Sequence, residues 1–489
     1  MPRILLNSGA YQARSIIANA QRCVNLYPEG NPKDSPVPMT HYCTPGLTEY
    51  IAAPFEAGVR CIYRASNGAG YAVIGNRVYA VNPDLTVNLL GYINTGTNPV
   101  SMSDNGLAVV IVDGSPQGWA IDLAGPNTFG IIYGDGFYGA DRVDVLDTYF
   151  LFNKPGTGQF YISLSNVDFT LLTTGVGFDP LDFASKEGFP DPIVGVVASY
   201  RQIWLIGALY TEVWFDSGAE DFPFQVQPGA YIEHGCVAKY SIAKADLSVY
   251  WLSQDLQGHL IVMQGAGYIA NRISTHAIEN EFMTYGVVSD AIGFTYQQEG
   301  HLFYVLTFPT ANKTWVYDRT TQLWHQRTWT DSDGGLNRSR VNCAAYLFDK
   351  NIVGDFENGT LYEWDLNAYT DVGNPISRIR SFPQIVDDAK RGNNRRIVHR
   401  QFIADMDVGE IETQWSEDPP TVSLRWSDDK GASWSNRMEQ SLGGAGQYLT
   451  NVQFRRLGLS RDRVYELSWS MPAKTALNGA WLDIEMAAT

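Results

Sequence analysis

The stretch TLYEWDL (360–366) puts Tyr362, Trp364 and Leu366 on one side of an extended chain and Glu363 and Asp365 on the other, the period-two alternation of a half-buried strand. Six comparable stretches stand upstream: RVYAVNP (77–83), GWAIDLA (118–124), QFYISLS (159–165), TEVWFDS (211–217), HLIVMQG (259–265) and KTWVYDR (313–319). Successive starts lie 41, 41, 52, 48, 54 and 47 residues apart. A repeat of about 40–50 residues holding several short strands is the signature of propeller blades, each of which buries its faces only against its neighbours. Aligned as the second strands of their units, the seven stretches predict a six- or seven-bladed β-propeller over residues 56–376. Six stays open because the first and last units could merge into one closing blade.

Composition agrees with a mainly β chain. Aromatic residues make up 13% of it and glycines number 46, a balance that favours strands and tight turns. The length of 489 residues exceeds one compact core, and 45% hydrophobic content excludes wholesale disorder, so several folded domains are expected. Residues 1–55 lack periodicity and carry Pro28, Pro32, Pro36, Pro38, Pro45 and Pro54; they read as an extended N-terminal arm that must lean on another element. One segment breaks the β pattern. RISTHAIENEFMTY (272–285) offers Ser274 or Thr275 as a cap and Ile278, Phe282 and Met283 at helical spacing, which predicts a short helix between blades.

Residues 377–400 hold Arg378, Arg380, Lys390, Arg391, Arg395, Arg396 and Arg400 around Pro383 and a Gly-Asn-Asn turn. They read as a basic linker, either solvated and pairing with an acidic neighbouring subunit or touching phosphates. Beyond them, residues 401–489 carry five or more short strand patterns and are expected to form a C-terminal β-sandwich.

The formal charge of −17 makes the surface as a whole repel nucleic acid, which argues against a conventional DNA-binding domain. It leaves room for a channel through which DNA slides. The five cysteines, Cys23, Cys43, Cys61, Cys236 and Cys343, are scattered with no C-x-x-C and read as free thiols of a reducing cytoplasm. No run of 18 apolar residues occurs, and MPRILLNSGAYQARS is too polar for a signal peptide, so neither membrane insertion nor export is expected.

Motifs of chemistry are few. SDDKGASW (427–434) has the Ser-x-Asp-x-Gly-x-x-Trp pattern of an Asp-box, which suggests a sialidase-like or carbohydrate-binding propeller protein. The residue types also satisfy a hairpin without any chemistry: Ser427 and Asp429 accept turn N–H groups, Gly431 supplies a positive φ and Trp434 covers the turn. Sialidase-type enzymes carry several copies on successive blades, whereas this single copy falls in the sandwich. GAGYIA (265–270), with Asp290 downstream, matches G-x-G-x-x-A but lies among propeller strands rather than in a βαβ unit, so a turn is expected. His41, His234, His259, His276, His301, His325 and His399 show no metal-ligand spacing, and neither a P-loop nor a G-x-S-x-G elbow is present. No catalytic, cofactor-binding or metal-binding residue is assigned, and a host-side propeller scaffold that binds peptides is a further reading.

As a constellation, QRCVNLYPEG (21–30), TPGLTEY (44–50), the segments 274–327 and 353–378, and LRWSDDKGASWSN through VQFRRLGLSRDRVYELSWS (424–470) resemble the packaged-DNA stabilisation proteins of short-tailed phages, the tail accessory or nozzle proteins. The resemblance covers almost the whole chain. It implies a non-enzymatic virion protein that forms a homohexameric ring below the portal-adaptor (head-to-tail connector) complex. Such a ring completes the head, retains the packaged double-stranded DNA until genome ejection, and holds tail spike or fibre and tail needle proteins.

Overall fold

In the computed structural model, the described residues are 3–6, 8–14, 19–169, 177–387, 395–407, 420–444, 446–447 and 450–487. Seven four-stranded antiparallel sheets follow one another around a ring. Their innermost strands are Val59–Arg64, Ser101–Asp104, Val143–Leu146, Ile193–Ser199, Ala243–Ala245, Ile292–Gln298 and Val341–Leu347, opening blades 1 to 7 in that order. The first and last units therefore stay separate blades. The seven stretches that revealed the repeat fall on the third strand of each blade, from Arg77–Val81 to Leu361–Asp365, and not on the second as the alignment supposed. Third strands such as Leu361–Asp365 keep an alternating half-exposed face, whereas several second strands are buried on both faces. Ala108–Val112, Gln202–Gly207 and His301–Phe308 are buried at every position and read as plain apolar runs.

Period two then divides each central strand between two neighbours. In blade 2, Val109 and Ile111 pack with Tyr71 and Val73 of blade 1, while Val110 and Val112 pack with Phe150 and Phe152 of blade 3. The same division recurs around the ring to the last interface, where Ile352 and Leu361 of blade 7 meet Ala72 and Ile74 of blade 1. Each full burial of such a side chain contributes about 1.5–3 kcal/mol.

The arm is the closing device. Gly46–Ile51 supplies the fourth strand of blade 7, paired antiparallel from Leu361↔Ile51 to Asp365↔Gly46. Of the remaining arm strands, Tyr11–Gln12 and Ala20–Gln21 pair with each other, and the others enter the C-terminal domain. One sheet of the sandwich runs Val452–Arg455, Ile397–Met406, Ala476–Met486, Met39–Cys43, Leu26–Gly30, with Arg3–Leu5 also paired to Ala476–Met486. The other runs Cys23–Val24, Arg378–Ser381, Asp462–Trp469, Thr421–Ser427, Met438–Ser441, and it continues blade 6 through the parallel pair Gln326↔Val24. Leu6, Leu26, Phe402, Leu424, Tyr465 and Leu482 share the core between the two sheets. Propeller and sandwich are thus welded by one ten-stranded sheet, and residues of the arm complete both.

The stretch read as a basic linker is structural over its first part. Arg378 and Arg380 are fully buried on a strand of the second sheet. Arg380 donates to Ser8 O at 2.8 Å, Gly9 O at 2.7 Å and Gln21 Oε1 at 3.1 Å, so it holds the arm down. Arg395 pairs with Asp387 and Arg400 with Glu485, while Arg396 is exposed. Lys390 and Arg391 lie outside the described residues. Burial removes Arg378 and Arg380 from a neighbouring subunit or a phosphate, whereas Arg395 and Arg400 stay at the surface in their pairs.

Helix α1 (His276–Phe282) follows blade 5, as its pattern predicted, with Thr275 as the cap accepting from Ile278 N. Ile278 and Phe282 are buried, whereas Met283 is the C-cap and exposed. Ser274 instead donates to Glu279 Oε1 at 2.6 Å and accepts from Val262 N at 3.0 Å.

Candidate functional site

The axis of a propeller is where its innermost strands converge, and here every blade reaches one cavity of about 200 Å3, from Arg60 in blade 1 through Arg142, Val194 and Ile242 to Asn342 in blade 7. Polar bridges join the start of blade 3 to the start of blade 5 at and beside this space. Lys239 Nζ pairs with Asp141 Oδ1 at 2.7 Å, Arg142 Nη1 donates to Ile242 O at 2.8 Å, and Lys244 Nζ reaches both Asp144 oxygens at 2.7 Å. Asp144 also accepts from Ala198 N at 2.9 Å, which ties the intervening blade 4 into the brace. Burial lowers the pKa of Arg142, with Asp144 opposing the shift. These groups tie the starts of blades 3, 4 and 5 together beside the axis.

None of them was singled out in the sequence. The available signal was a polar pair just before an apolar strand, as in ADRVDV (140–145), whose charged residues alternate inward exactly where blades begin to converge.

The Asp-box is a hairpin tip between Thr421–Ser427 and Met438–Ser441. Ser427 Oγ donates to Asp429 Oδ1 at 2.8 Å and accepts from Gly431 N at 2.7 Å, and Asp429 also accepts from Ser433 N and Oγ. These bonds, those of Ser433 foremost, push the Asp429 carboxyl down to about 2. Gly431 has φ +90°. Trp434 is half-buried with the Arg425 guanidinium 4.5 Å from its ring centre. A carboxylate so fully engaged in its own turn is a fold element. GAGYIA is likewise a turn: Leu260–Ala266 and Ile269–Arg272 form a hairpin around Gly267, φ +63°.

The histidines are dispersed. His325 and His399 are buried, and burial drives each down to about 3. His399 accepts a place between the two sandwich sheets, 2.9 Å from Tyr465 Oη and 2.8 Å from Ser460 Oγ. His41 is buried and held well below its ordinary value, also by burial. His301 goes the other way, raised by its 2.8 Å contact with Asp318. His259 meets Asp255 and His276 meets Glu279 at the surface, and His234 is half-buried. All five cysteines are free, and burial raises Cys23 and Cys236 to about 11 and Cys61 to about 12, which keeps them protonated and unreactive. Among the described residues, no three His, Cys, Asp or Glu side chains gather closely enough to hold a metal ion.

Two family models match the chain end to end in sequence order. One, a phage-stabilisation model described as the β-propeller of bacteriophage P22 Gp10, covers residues 2–369; the other, described as the β-sandwich of the same protein, covers 388–485. The chain belongs to the bacteriophage P22 Gp10 family. It is therefore a member of a phage structural-protein family, as the sequence resemblance implied, with a propeller and a sandwich in the order expected. The Gp10 propeller match includes most of the arm, in keeping with Gly46–Ile51 being a blade strand.

Solved structures similar to the chain include the WD40 propeller domain of Doa1 (TM-score 0.40, 10% identity, 65% of this chain and 97% of that one). Others are the extracellular domain of a hybrid two-component system from B. thetaiotaomicron (0.42, 9%, 65% and 39%) and the WD40 repeats of RRP9 (0.40, 7%, 66% and 99%). The assignment of the fold rests on the strand pairing and not on these distant likenesses. No curated protein sequence matches the chain as a relative.

Proposed function

We propose that the chain is a structural component of a short-tailed phage tail, a homohexameric nozzle ring that docks below the portal-adaptor complex, closes the DNA channel and retains the packaged genome. Spike or fibre and needle proteins attach to it. It is assembled in the host cytoplasm and ends in the virion, and it catalyses nothing. The observation that carries this reading is the axial cavity. A duplex whose major groove alone is about 12 Å wide does not fit a cavity of about 200 Å3 that all seven blades line and that the Lys239–Asp141 pair borders. A conduit for DNA must then be built between copies, with each propeller as a braced wall segment. The net charge of −17 suits such a wall, because few phosphates would be gripped as DNA slides. No helix among the described residues is long and apolar enough to cross a membrane.

Electron microscopy of the purified chain, alone and mixed with adaptor rings, tests the assembly. Sixfold rings seated on the adaptor are the expected outcome, and particles assembled without the protein should lose their DNA to nuclease. A monomer with no affinity for adaptor rings would sink the nozzle reading. A strongly positive ring lumen would remove the low-adhesion mechanism.

A further inference from the structure

Arg22, inside QRCVNLYPEG, stands at the seam between propeller and sandwich. Its backbone is fixed on both sides: Arg22 N donates to Ala20 O at 2.8 Å, and Ser381 N donates to Arg22 O at 3.0 Å. Its guanidinium is different. Half-buried, it makes no hydrogen bond or ion pair with any described residue. Two carboxylates are close enough to act on its charge, but both are engaged elsewhere. Glu466 accepts from Arg425 Nε and from Ser381 Oγ, each at 2.8 Å, and Glu281 accepts from Tyr285 Oη at 3.3 Å. Burial outweighs their attraction and lowers the Arg22 pKa. A cation left partly desolvated without a partner is unfavourable unless something supplies the missing charge.

Two cavities meet at this side chain. One, of about 290 Å3, lies between the arm, helix α1 and blade 6 and is walled by Tyr11, Arg14, Lys313, Trp315 and Trp324. The other, of about 200 Å3, runs on beneath the Asp-box hairpin to Trp434. Gln12 and Arg22 line both, so the two form one groove along the domain junction. Arg14 and Lys313 also have no ion pair among the described residues. Some basic side chains elsewhere are paired, as in Arg201–Asp147, Lys239–Asp141 and Arg340–Asp355, while others such as Arg64, Arg437 and Arg461 stand apart from this groove without an ion pair among the described residues. Arg14, Arg22 and Lys313 thus come together in one aromatic-walled groove, which Glu281 and Glu466 also line, on a chain that is acidic as a whole. This is the electrostatic and apolar complement of an acidic, partly apolar segment.

We propose that the groove docks an extended acidic peptide segment of a partner protein, with a carboxylate of that segment pairing with Arg22. The identity of the partner as a tail protein rests on the docking role proposed above; the binding itself does not. A fluorescein-labelled ten-residue peptide of alternating Glu and Leu, titrated with the full chain and read by fluorescence anisotropy, tests it. Saturable binding is expected, weakening as salt is raised. It should fall about tenfold with Arg22→Gln, as loss of one charge-assisted pair implies, and severalfold with the combined rim variant Arg14→Gln, Lys313→Gln. Arg201→Gln, on an exposed blade 4 turn, should leave it unchanged, and a Lys-Leu peptide should not bind. Absence of binding, or equal binding by wild type and the rim variant, overturns the groove; the rim variant decides even if Arg22→Gln fails to fold. Intact peptide binding by a chain that never forms rings would count against the nozzle and leave the groove standing.

Discussion

Blade 4 takes all four strands from one stretch, Ile193–Ile232, whereas blade 7 takes three from Val341–Asp365 and its fourth from Gly46–Ile51 at the other end of the chain. Both bury their faces against two neighbours, and both are four-stranded and antiparallel. They differ in what must happen before they exist. Blade 4 needs only hairpins, one turned by Tyr200 and Arg201 with both residues in the left-handed region. Blade 7 needs the arm to find it across the chain, a long-range pairing whose loop entropy is spent before any contact rewards it. The sandwich shares this dependence, since Leu26–Gly30 and Met39–Cys43 lie in one of its sheets and Cys23–Val24 in the other. Closure of the ring and completion of the second domain therefore both depend on the arm. Asn25 marks its seat, with Nδ2 donating to Thr328 Oγ1 at 2.9 Å and Ser377 O at 2.8 Å, while Arg327 Nη2 holds Pro45 O at 2.6 Å.

Removing residues 1–51 should break this contrast most severely. The truncated chain is expected to lose its cooperative thermal transition in circular dichroism and to become protease-sensitive in the sandwich, because both sheets lose strands there. An unchanged transition would mean that the ring closes without its stitch. A local lesion should be milder. Phe152→Ala in the core between blades 2 and 3 should cost about 3–5 kcal/mol in urea denaturation while the arm remains protected from proteolysis.

Acid should compare the two regions through His325 in blade 6 and His399 between the sandwich sheets. Both have folded pKa values near 3, below the ordinary value, so the unfolded chain binds their protons first. Their stabilising contribution is present above about pH 6.5 and is lost as pH falls toward 3, at up to about 1.4 kcal/mol per pH unit for each. His301 has the opposite sign: its raised pKa gives a contribution present below about pH 6.5 and lost as pH rises through the folded value. His325→Phe should flatten the acid limb, and a limb of unchanged slope would assign the loss of stability to other groups. Smallest is Trp434→Ala, expected to destabilise the sandwich by about 1 kcal/mol through loss of the Arg425 contact, with circular dichroism otherwise native.

Local features were legible in proportion to how far they depend on near neighbours. The repeat, a helix cap at Ser274 or Thr275 and the Asp-box hairpin each follow from side-chain alternation or from turn chemistry within a few residues. The rank of the strands within a blade was misread. Uniform burial erased the alternation in second strands such as Ala108–Val112 and left it in third strands such as Leu361–Asp365. Arg378 and Arg380 were misread for a related reason, since charge on a loop-like segment ordinarily means solvent. Nothing local announces that Ser8 and Gly9 will offer carbonyls to Arg380. Arg22 was quoted as part of a motif, yet its unpaired state depends on where Glu466 and Glu281 spend their own charges.

By itself the sequence determined that this chain is a β-propeller followed by a second β domain, because strand period, turn residues and repeat length act over short distances. Only the tertiary structure decided that the arm is the seventh blade's outer strand, that both ends of the chain share one sandwich core, and that Lys239–Asp141 and Lys244–Asp144 bridge blades 3 and 5. Strand partners are joined by backbone N–H and C=O groups that are the same in every residue, so a ladder such as Leu361↔Ile51 carries no side-chain code for its partner. Which edge an arm covers is settled by the shape of the whole fold.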